Sequence, residues 1–272
     1  MITIAGISIF VFGDEFMLHE RRDKIVKMII SDRMVKVADL VKIFDVSIET
    51  IRRDLEYLEN QGYLKRVYGG AVLHGLFGQE PDYSHREVKN YIEKRAIGIK
   101  TSELIEDGDT IAIDLGTTTL EVARALAGKN NLTIITNATK IAQELVVNES
   151  NRVFLMGGML RPGELSVSGF MCSENLKQFN VDKAIIGVGG ITLDRGITDY
   201  HIEEANNRRT IINIAEKVIA VADFSKFGVI AMNNVCSINK INILVTDSAV
   251  PQKTISDYRS RGINVIAAEK AD

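Results

Sequence analysis

Residues 46–72 read VSIETIRRDLEYLENQGYLKRVYGGAV, and the hydrophobic period changes within them, at Gly62. Before that glycine, Ile51, Leu55 and Leu58 recur at i, i+4 and i+7, the stripe of a helix buried on one face. Ser47 stands just ahead, where a hydroxyl can accept a bond from an otherwise unpaired first-turn amide. This predicts a helix from Ile48 to Asn60, stopped by Gly62. Thr50, Arg52 and Arg53 fall off the stripe near its start. After the glycine, Tyr63 to Tyr68 alternates like a strand, Gly69-Gly70 permits a tight turn, and Ala71 to Leu73 can return. Such a hairpin offers Lys65 and Arg66 to phosphates.

Toward the N terminus, Ile25, Met28 and Ile29 recur at helical spacing between Glu20 and Ile30, and Asp32 and Arg33 break the pattern. Val37, Leu40, Val41 and Phe44 give a second short amphipathic stretch, ended by the turn Phe44-Asp45-Val46-Ser47. Two short helices, a tight turn and a third helix with polar and basic residues at its start meet the needs of a helix-turn-helix with a β-wing. In that motif the start of the last helix reaches base edges in the major groove. Charge adds little: from Glu20 to His74 there are 11 Lys/Arg against 9 Asp/Glu, and a charged helix start is also what a solvated face looks like. Ile2 to Phe12 is apolar but too short to cross a membrane, and no basic segment precedes it. Residues 1–16 are read as a dispensable tail or a short extra strand.

Toward the C terminus, residues 75–91 are polar, interrupted by Gly78, Pro81 and Ser84, and read as a linker. A helix signal follows, carrying Ile97, Leu104 and Ile105. Seven β runs then alternate with helical patterns: Thr110–Ile113, Leu132–Thr136, Val153–Met156, Lys183–Val188, Val218–Ala222, Ile241–Thr246 and Asn264–Ala267. Leu120–Leu126 and Ile141–Val147 are two of the helical patterns. The alternation predicts a mostly parallel sheet covered by helices, a fold that binds ligands beyond the carboxyl ends of its strands. Asp114-Leu115-Gly116-Thr117-Thr118-Thr119 joins the first run to a helix. Its glycine admits an anion to the helix N terminus and its hydroxyls add donors, which suits a phosphate. A capped strand-to-helix turn would read the same, and the stretch lacks the GxxxxGK[ST] of a nucleotide P-loop. Thr136-Asn137, Gly157-Gly158, Gly187 with Gly189-Gly190, and Asp223 to Lys226 also end predicted strands, so a parallel sheet would converge them on one crevice.

The whole chain has 272 residues, 46% hydrophobic and 25% charged, with a net charge of −3. That balance excludes wholesale disorder and any global attraction to nucleic acid or membrane. Cys172 and Cys236 stand apart, outside any CxxC pattern, which predicts reduced thiols in a cytoplasmic protein. The four histidines form no metal-ligating cluster, so neither a metal nor a cofactor is expected.

HERRDKIVKMI (19–29) and VKVADLVKIFDVSIETIRRDLEYLENQGYLKRVYGGAV (35–72) resemble, without a gap from Glu20 to Val72, the N-terminal domain of DeoR-family bacterial transcription regulators. The resemblance makes Ser47, Thr50, Arg52 and Arg53 the recognition positions and Asp54 a structural residue bridging to an arginine. Tyr68 stands where histidine is common. DLGTTT (114–119), TN (136–137), GGMLRPGELSVSG (157–169), DKAIIGVGGI (182–191), GITDYHIEEANNRR (196–209) and ADFSKFG (222–228) resemble the family's C-terminal sensor domain, from Glu93 to Ala268. That domain is similar in fold to ribose-5-phosphate isomerase and the CoA transferases. The resemblance implies that Gly116, Thr117, Thr118 and Thr119 hold a phosphate. Asp114, Asn137, Gly158 and Lys226 would line the sugar side, while helix caps and surface salt bridges explain Asp199 and Glu203 equally well.

The expected architecture is thus a winged helix-turn-helix domain (17–74), a linker (75–91) and an α/β sugar-phosphate sensor (92–272). The expected protein is a repressor of sugar-metabolism genes that binds operator DNA as a homodimer or higher homo-oligomer, under control of a phosphorylated sugar. The alternative is a sugar-phosphate isomerase fused to a DNA-binding domain. The isomerases that the fold resembles carry acidic residues just after the strand corresponding to Lys183–Val188, and a lysine in a glycine-rich loop beyond. Here the strand runs into Gly187-Val188-Gly189-Gly190-Ile191, and Gly196-Ile197-Thr198 has no lysine. A third reading keeps DNA binding and leaves the C-terminal domain only an oligomerising role.

Overall fold

The computed structural model describes residues 20–29, 32, 34–73 and 80–269. The segment 1–16 lies outside the described residues. The chain divides into two compact units, Met1–His74 and Gly75–Asp272.

In the first unit, α1 (residues 20–29) is followed by β1 (Met34–Lys36), α2 (Val37–Phe44), α3 (Ile48–Asn60), β2 (Leu64–Val67) and β3 (Gly70–Leu73). Asp45, at φ 50°, ends α2 in a left-handed conformation. Ser47 caps α3 by accepting the Thr50 amide at 3.1 Å. The helical stripe does what its spacing predicts: Ile51, Leu55 and Leu58 are buried with Ile25, Ile29, Leu40 and Leu64. Each such side chain contributes about 1.5–3 kcal/mol through burial. The strand β1 is an addition to the sequence reading. It pairs antiparallel with β3, so the wing has three strands in the order β1-β3-β2. Gly70 belongs to β3 rather than to the turn, because Val67 pairs with Gly70 and leaves Tyr68-Gly69 as the two-residue loop. A Cβ on Gly70 would lie 2.1 Å from the Val35 carbonyl oxygen, so the approach of β1 admits only glycine there.

The second unit opens with α4 (Tyr83–Val88) and α5 (Tyr91–Ser102). Then follow β4 (Thr110–Ile113), α6 (Thr117–Ala125), β5 (Thr133–Thr136), α7 (Thr139–Leu145) and β6 (Arg152–Leu155). The hairpin of β7 (Met159–Arg161) and β8 (Ser166–Ser168) leads to α8 (Phe170–Leu176) and β9 (Val181–Ile186). Next come β10 (Gly190–Thr192), β11 (Gly196–Asp199), α9 (Ile202–Asn213), β12 (Ala215–Val221) and β13 (Asn233–Cys236). The unit ends with β14 (Ile243–Asp247), α10 (Gln252–Ser260) and β15 (Asn264–Ala268).

The seven β runs expected from sequence are the seven strands of one sheet, in the order β15-β14-β12-β9-β4-β5-β6, and every pairing in it is parallel. On one face Ile97, Leu120, Ile141, Ile111, Ile134 and Ile185 form a continuous apolar core. There α5 lies close on α6, since a Cβ on Gly98 would stand 2.6 Å from the Glu121 carbonyl. Residues 83–88 correct the linker reading. They form α4, anchored by buried Tyr83, and Tyr83 meets Lys140 at 4.2 Å from its ring. Polarity marked this stretch as a linker, but its polarity serves ion pairs inside the unit.

Candidate functional site

On the first unit, Arg52 and Arg53 stand exposed at the start of α3. Arg52 pairs with Glu49 at 3.2 Å, both exposed, a pairing that holds little in water. Ser47 and Thr50 share a hydroxyl contact of 2.9 Å at the cap. Asp54 is buried beneath them and takes Arg21 Nε at 2.6 Å and Arg22 Nε at 2.8 Å, which ties α3 to α1. On the wing, Lys65 is exposed. Arg66 differs from the sequence reading. Its Nε lies 2.7 Å from Glu59 and its own amide donates to the same carboxylate at 2.8 Å. It therefore links the wing to α3, while its side chain stays largely exposed. Tyr68, at the wing tip, is fully exposed.

In the second unit the strand order reverses between β4 and β9: the chain builds outward from β4 through β5 and β6, then returns to place β9 on β4's other side. A parallel sheet opens a crevice at such a point, beyond the carboxyl ends of the two strands. The cleft lies there. Leu115 to Thr118 after β4, Gly187 to Gly189 after β9, and Asp223, Ser225 and Lys226 after β12 line it, and it encloses about 710 Å³ counting the space at its mouth. Gly116 precedes α6 with φ 146°, a conformation natural to glycine. The first amides of α6 have no acceptor within the helix, so they can serve a ligand.

Of the residues expected at this site, Gly116, Thr117, Thr118 and Lys226 line the cleft. Thr119 does not; its hydroxyl donates to the Gly116 carbonyl at 3.0 Å. Asp114 lies behind the cleft, fully buried, paired with Arg208. Asn137 and Gly158 end β5 and β6 but sit under the β7–β8 hairpin. Asn137 bonds the Val167 carbonyl at 3.3 Å, and a Cβ on Gly158 would be 2.7 Å from the Ser168 carbonyl oxygen. The hairpin thus covers those two strand ends, and alternation along the chain could not foretell it.

Sequence reading missed most of the charge. Besides Lys226, the cationic lining comprises Arg86, Lys89, Lys94 and Arg208, and the acidic lining Glu80, Asp199, Glu204 and Asp223. Arg86, Lys89 and Lys94 come from α4, α5 and the turn between them, Glu204 and Arg208 from α9, Asp199 from β11 and Glu80 from just before α4, whereas Asp223 follows β12. Burial lowers Lys89 and Lys94 to about 8 and also lowers Lys226. Lys94 donates to the Lys89 carbonyl at 2.7 Å and to the Arg86 carbonyl, closing the turn between α4 and α5. Burial would raise Asp223, but Lys226 and Lys94 outweigh it and hold its carboxyl low. Buried Arg208 joins Asp114 and Asp199. Burial pushes Asp114 up to about 6 against the pull of Arg208, whereas for Asp199 the arginine prevails. Burial raises Glu204 to about 7, although Arg161 stands 2.8 Å away and the Ser166 hydroxyl 3.0 Å. Each cleft carboxylate is thus engaged by the protein, as are Arg86, Lys94 and Arg208, and the donors that the fold itself leaves open to an incoming molecule are the first amides of α6.

The chain was compared with known proteins. The profile of the DeoR C terminal sensor domain matches residues 89–248, and that of the DeoR-like helix-turn-helix domain matches residues 21–75. The chain is 36% identical over 232 residues to the glycerol-3-phosphate regulon repressor of Escherichia coli (strain K12), covering 85% of this chain and 92% of that one. It is 36% identical over 230 residues to the transcriptional repressor AccR of Agrobacterium fabrum, covering 84% and 89%. It is 31% identical over 250 residues to the HTH-type transcriptional regulator GolR of Listeria innocua, covering 92% and 98%. Among solved structures, ribose 5-phosphate isomerase A from Neisseria gonorrhoeae aligns at 17% identity with a TM-score of 0.38, over 53% of this chain and 56% of that one. Among the described residues no helix is long and apolar enough to cross a membrane. With both units matched in order along nearly the whole chain, this protein belongs to the DeoR family of DNA-binding transcriptional regulators.

Proposed function

We propose that this regulator represses genes of sugar metabolism, and that a phosphorylated sugar or related metabolite in the cleft of the second unit releases it from its operator. The observation that carries this reading is the cleft itself. A helix N terminus with Gly116, Thr117 and Thr118 opens at the strand switch point, among five cationic side chains. A phosphate dianion would take the α6 amides and the threonine hydroxyls, with Lys226 near it. An unphosphorylated sugar would leave those oriented donors unpaired, which disfavours it. The relatives named as repressors, one of them of a glycerol-3-phosphate regulon, support the same assignment. On the first unit, Arg52, Arg53 and Lys65 would meet DNA.

The regulator would act as a homodimer or higher homo-oligomer, since one helix-turn-helix reaches one half-site. The edge strand β6 and the hairpin after it expose Phe154, Leu155, Met159 and Leu160, apolar surface of the kind that a second copy covers. Light scattering at micromolar concentration checks this; a monomer with full operator affinity overturns it. The effector reading is tested with the double variant Thr117→Ala, Thr118→Ala. Wild-type protein should leave a labelled operator as phosphorylated sugars are added, and the double variant should stay bound. Release of the double variant at the wild-type effector concentration would place the phosphate elsewhere.

A further inference from the structure

Residues 80–90 contribute Glu80, Pro81, Arg86, Lys89 and Asn90 to the cleft and are held to the rest of the second unit by buried Tyr83 and by a network of charge. Arg86 is the centre of this hold. Its Nε donates to the Pro81 carbonyl at 2.8 Å, and its Nη2 meets Glu80 at 3.2 Å and also Glu164. Glu80 continues to Arg161 at 2.8 Å, and Arg161 to Glu204 at 2.8 Å. An alternating chain of charge therefore runs from Glu164 through Arg86, Glu80 and Arg161 to α9. Asn90 adds a bond to Asp223 at 2.9 Å, and Glu87 a pair with Lys140 at 3.0 Å.

Two features make Arg86 unlike a purely structural arginine. It lines the cleft, while its partner Glu164 does not. The hold is also incomplete: Glu164 is buried, one oxygen is on Arg86, and the other, Oε2, has no hydrogen-bond partner. Losing Arg86 would leave a buried carboxylate without a donor, a costly state, so only a strong competitor draws the guanidinium away. A phosphate is a strong one, because it can take two parallel N–H donors from an arginine fork.

We propose that Arg86 is an effector-contacting residue that exchanges partners: without effector it is kept by Glu80 and Glu164, and an anion in the cleft takes it over. The exchange removes the central tie of residues 80–90. In sequence that segment lies five residues beyond the Gly75 boundary, so the effector loosens the described part of the second unit that comes first along the chain from the DNA-binding unit. By linkage, whatever weakens the Glu164 tie must strengthen effector binding. This inference rests on the cleft being the effector site, and it adds the side chain through which occupancy is felt.

The test uses the full chain. Inorganic phosphate and a panel of pentose, hexose and triose phosphates are titrated by calorimetry against wild type, Glu164→Gln, Arg86→Lys and the surface control Glu103→Gln. Glu164→Gln keeps the size of the side chain and removes its charge. It should bind phosphate compounds about fivefold or more tightly than wild type. It should also leave the operator at correspondingly lower effector concentration. Arg86→Lys keeps the charge but loses the fork, and should weaken the same binding about tenfold. Glu103→Gln should match wild type. If wild type binds and Glu164→Gln binds equally or less well, the exchange is wrong while the cleft assignment stands. If Arg86→Lys binds as wild type does, Arg86 is structural only. If wild type binds none of the compounds, the cleft assignment fails and the exchange fails with it.

Discussion

The two units place their cations in opposite ways. In the DNA-binding unit Arg52, Arg53 and Lys65 stand in water, and Asp54, the one deeply buried charge among the described residues, is matched by two arginines. In the sensor unit Arg86, Lys94 and Arg208 are turned inward, and most of their donors are already spent on protein acceptors. A DNA backbone is a large, always charged partner that can be met by hydrated side chains whose exposure costs nothing. A small anion must be distinguished from water and salt. That requires donors held out of solvent, and burial requires counter-charges to hold them until the ligand arrives. One surface is ready-made, and the other is an exchange.

The sharpest way to break this comparison is to remove the counter-charge that the sensor relies on most. Arg208→Leu would leave Asp114 and Asp199 facing each other, buried, without a cation. Losing one side of such a set costs about 3–5 kcal/mol. In urea followed by circular dichroism, the sensor transition should move to much lower denaturant, and effector binding should go with it. A shift worth under about 1 kcal/mol would mean that the cluster is hydrated and that the contrast between the units is false. Asp54→Ala is the counterpart in the DNA-binding unit. Its arginines are partly exposed, so the loss should be smaller, about 2–3 kcal/mol, and confined to the transition of that unit.

The same contrast explains what could be read from sequence. In the DNA-binding unit every candidate contact residue lies within 46–72, on one helix and one hairpin, so local period and capping sufficed to place them. What escaped was β1, three residues whose pairing with β3 depends on a fold-back that no local pattern encodes. In the sensor unit all seven sheet strands were legible, because a buried parallel sheet writes each strand as an apolar run. The cleft was legible only where it touches strand ends, at Gly116 to Thr118, at Gly187 and Gly189, and at Asp223, Ser225 and Lys226. Arg86 and Lys89 were lost because a stretch of charges reads as a solvated linker until its partners are known, and Lys94 because a charge on a helix reads as a solvated face. Asn137 and Gly158 were over-read because they obey the strand-end rule but lie under a hairpin.

A finer comparison lies within the DNA-binding unit, between two arginines with the same charge. Arg53 is exposed and off the core stripe, whereas Arg66 is fastened to Glu59. Arg53→Ala should weaken specific operator binding by about 1–3 kcal/mol, the range of one lost bidentate base contact. Its melting temperature should hardly change. Arg66→Ala should act the other way, costing stability by less than about 1 kcal/mol as expected of a largely exposed pair, with a smaller effect on the operator. Mobility-shift assays and thermal melts on the two variants separate these outcomes. An equal loss of operator affinity would restore Arg66 as a phosphate contact.

The least of the expected effects concerns protons and tests whether the sensor's cations are held back as the comparison requires. Burial brings Lys89 and Lys94 down to about 8, so above that pH the empty cleft increasingly holds neutral amines. A bound phosphate dianion favours the ammonium form and lifts these values back toward the ordinary lysine range. The sign follows: the ligand-bound state holds more protons than the empty state above pH 8, so raising the pH must weaken effector binding. For one lysine the loss between pH 7 and pH 9 is about tenfold, or about 1.4 kcal/mol. Phosphate monoesters are already mostly dianionic at the lower end of that range, so the ligand's own titration cannot produce the fall. Operator binding in the absence of effector, on the proposed reading that it uses the start of α3 and the wing, involves neither cleft lysine and should be nearly flat over the same window. Calorimetric titrations at several pH values, in buffers of different ionisation enthalpy, report both the affinity and the protons taken up. Effector affinity that stays level from pH 7 to pH 9 would show that both lysines remain fully charged in the empty cleft, with hydrated cations like those of the DNA-binding unit.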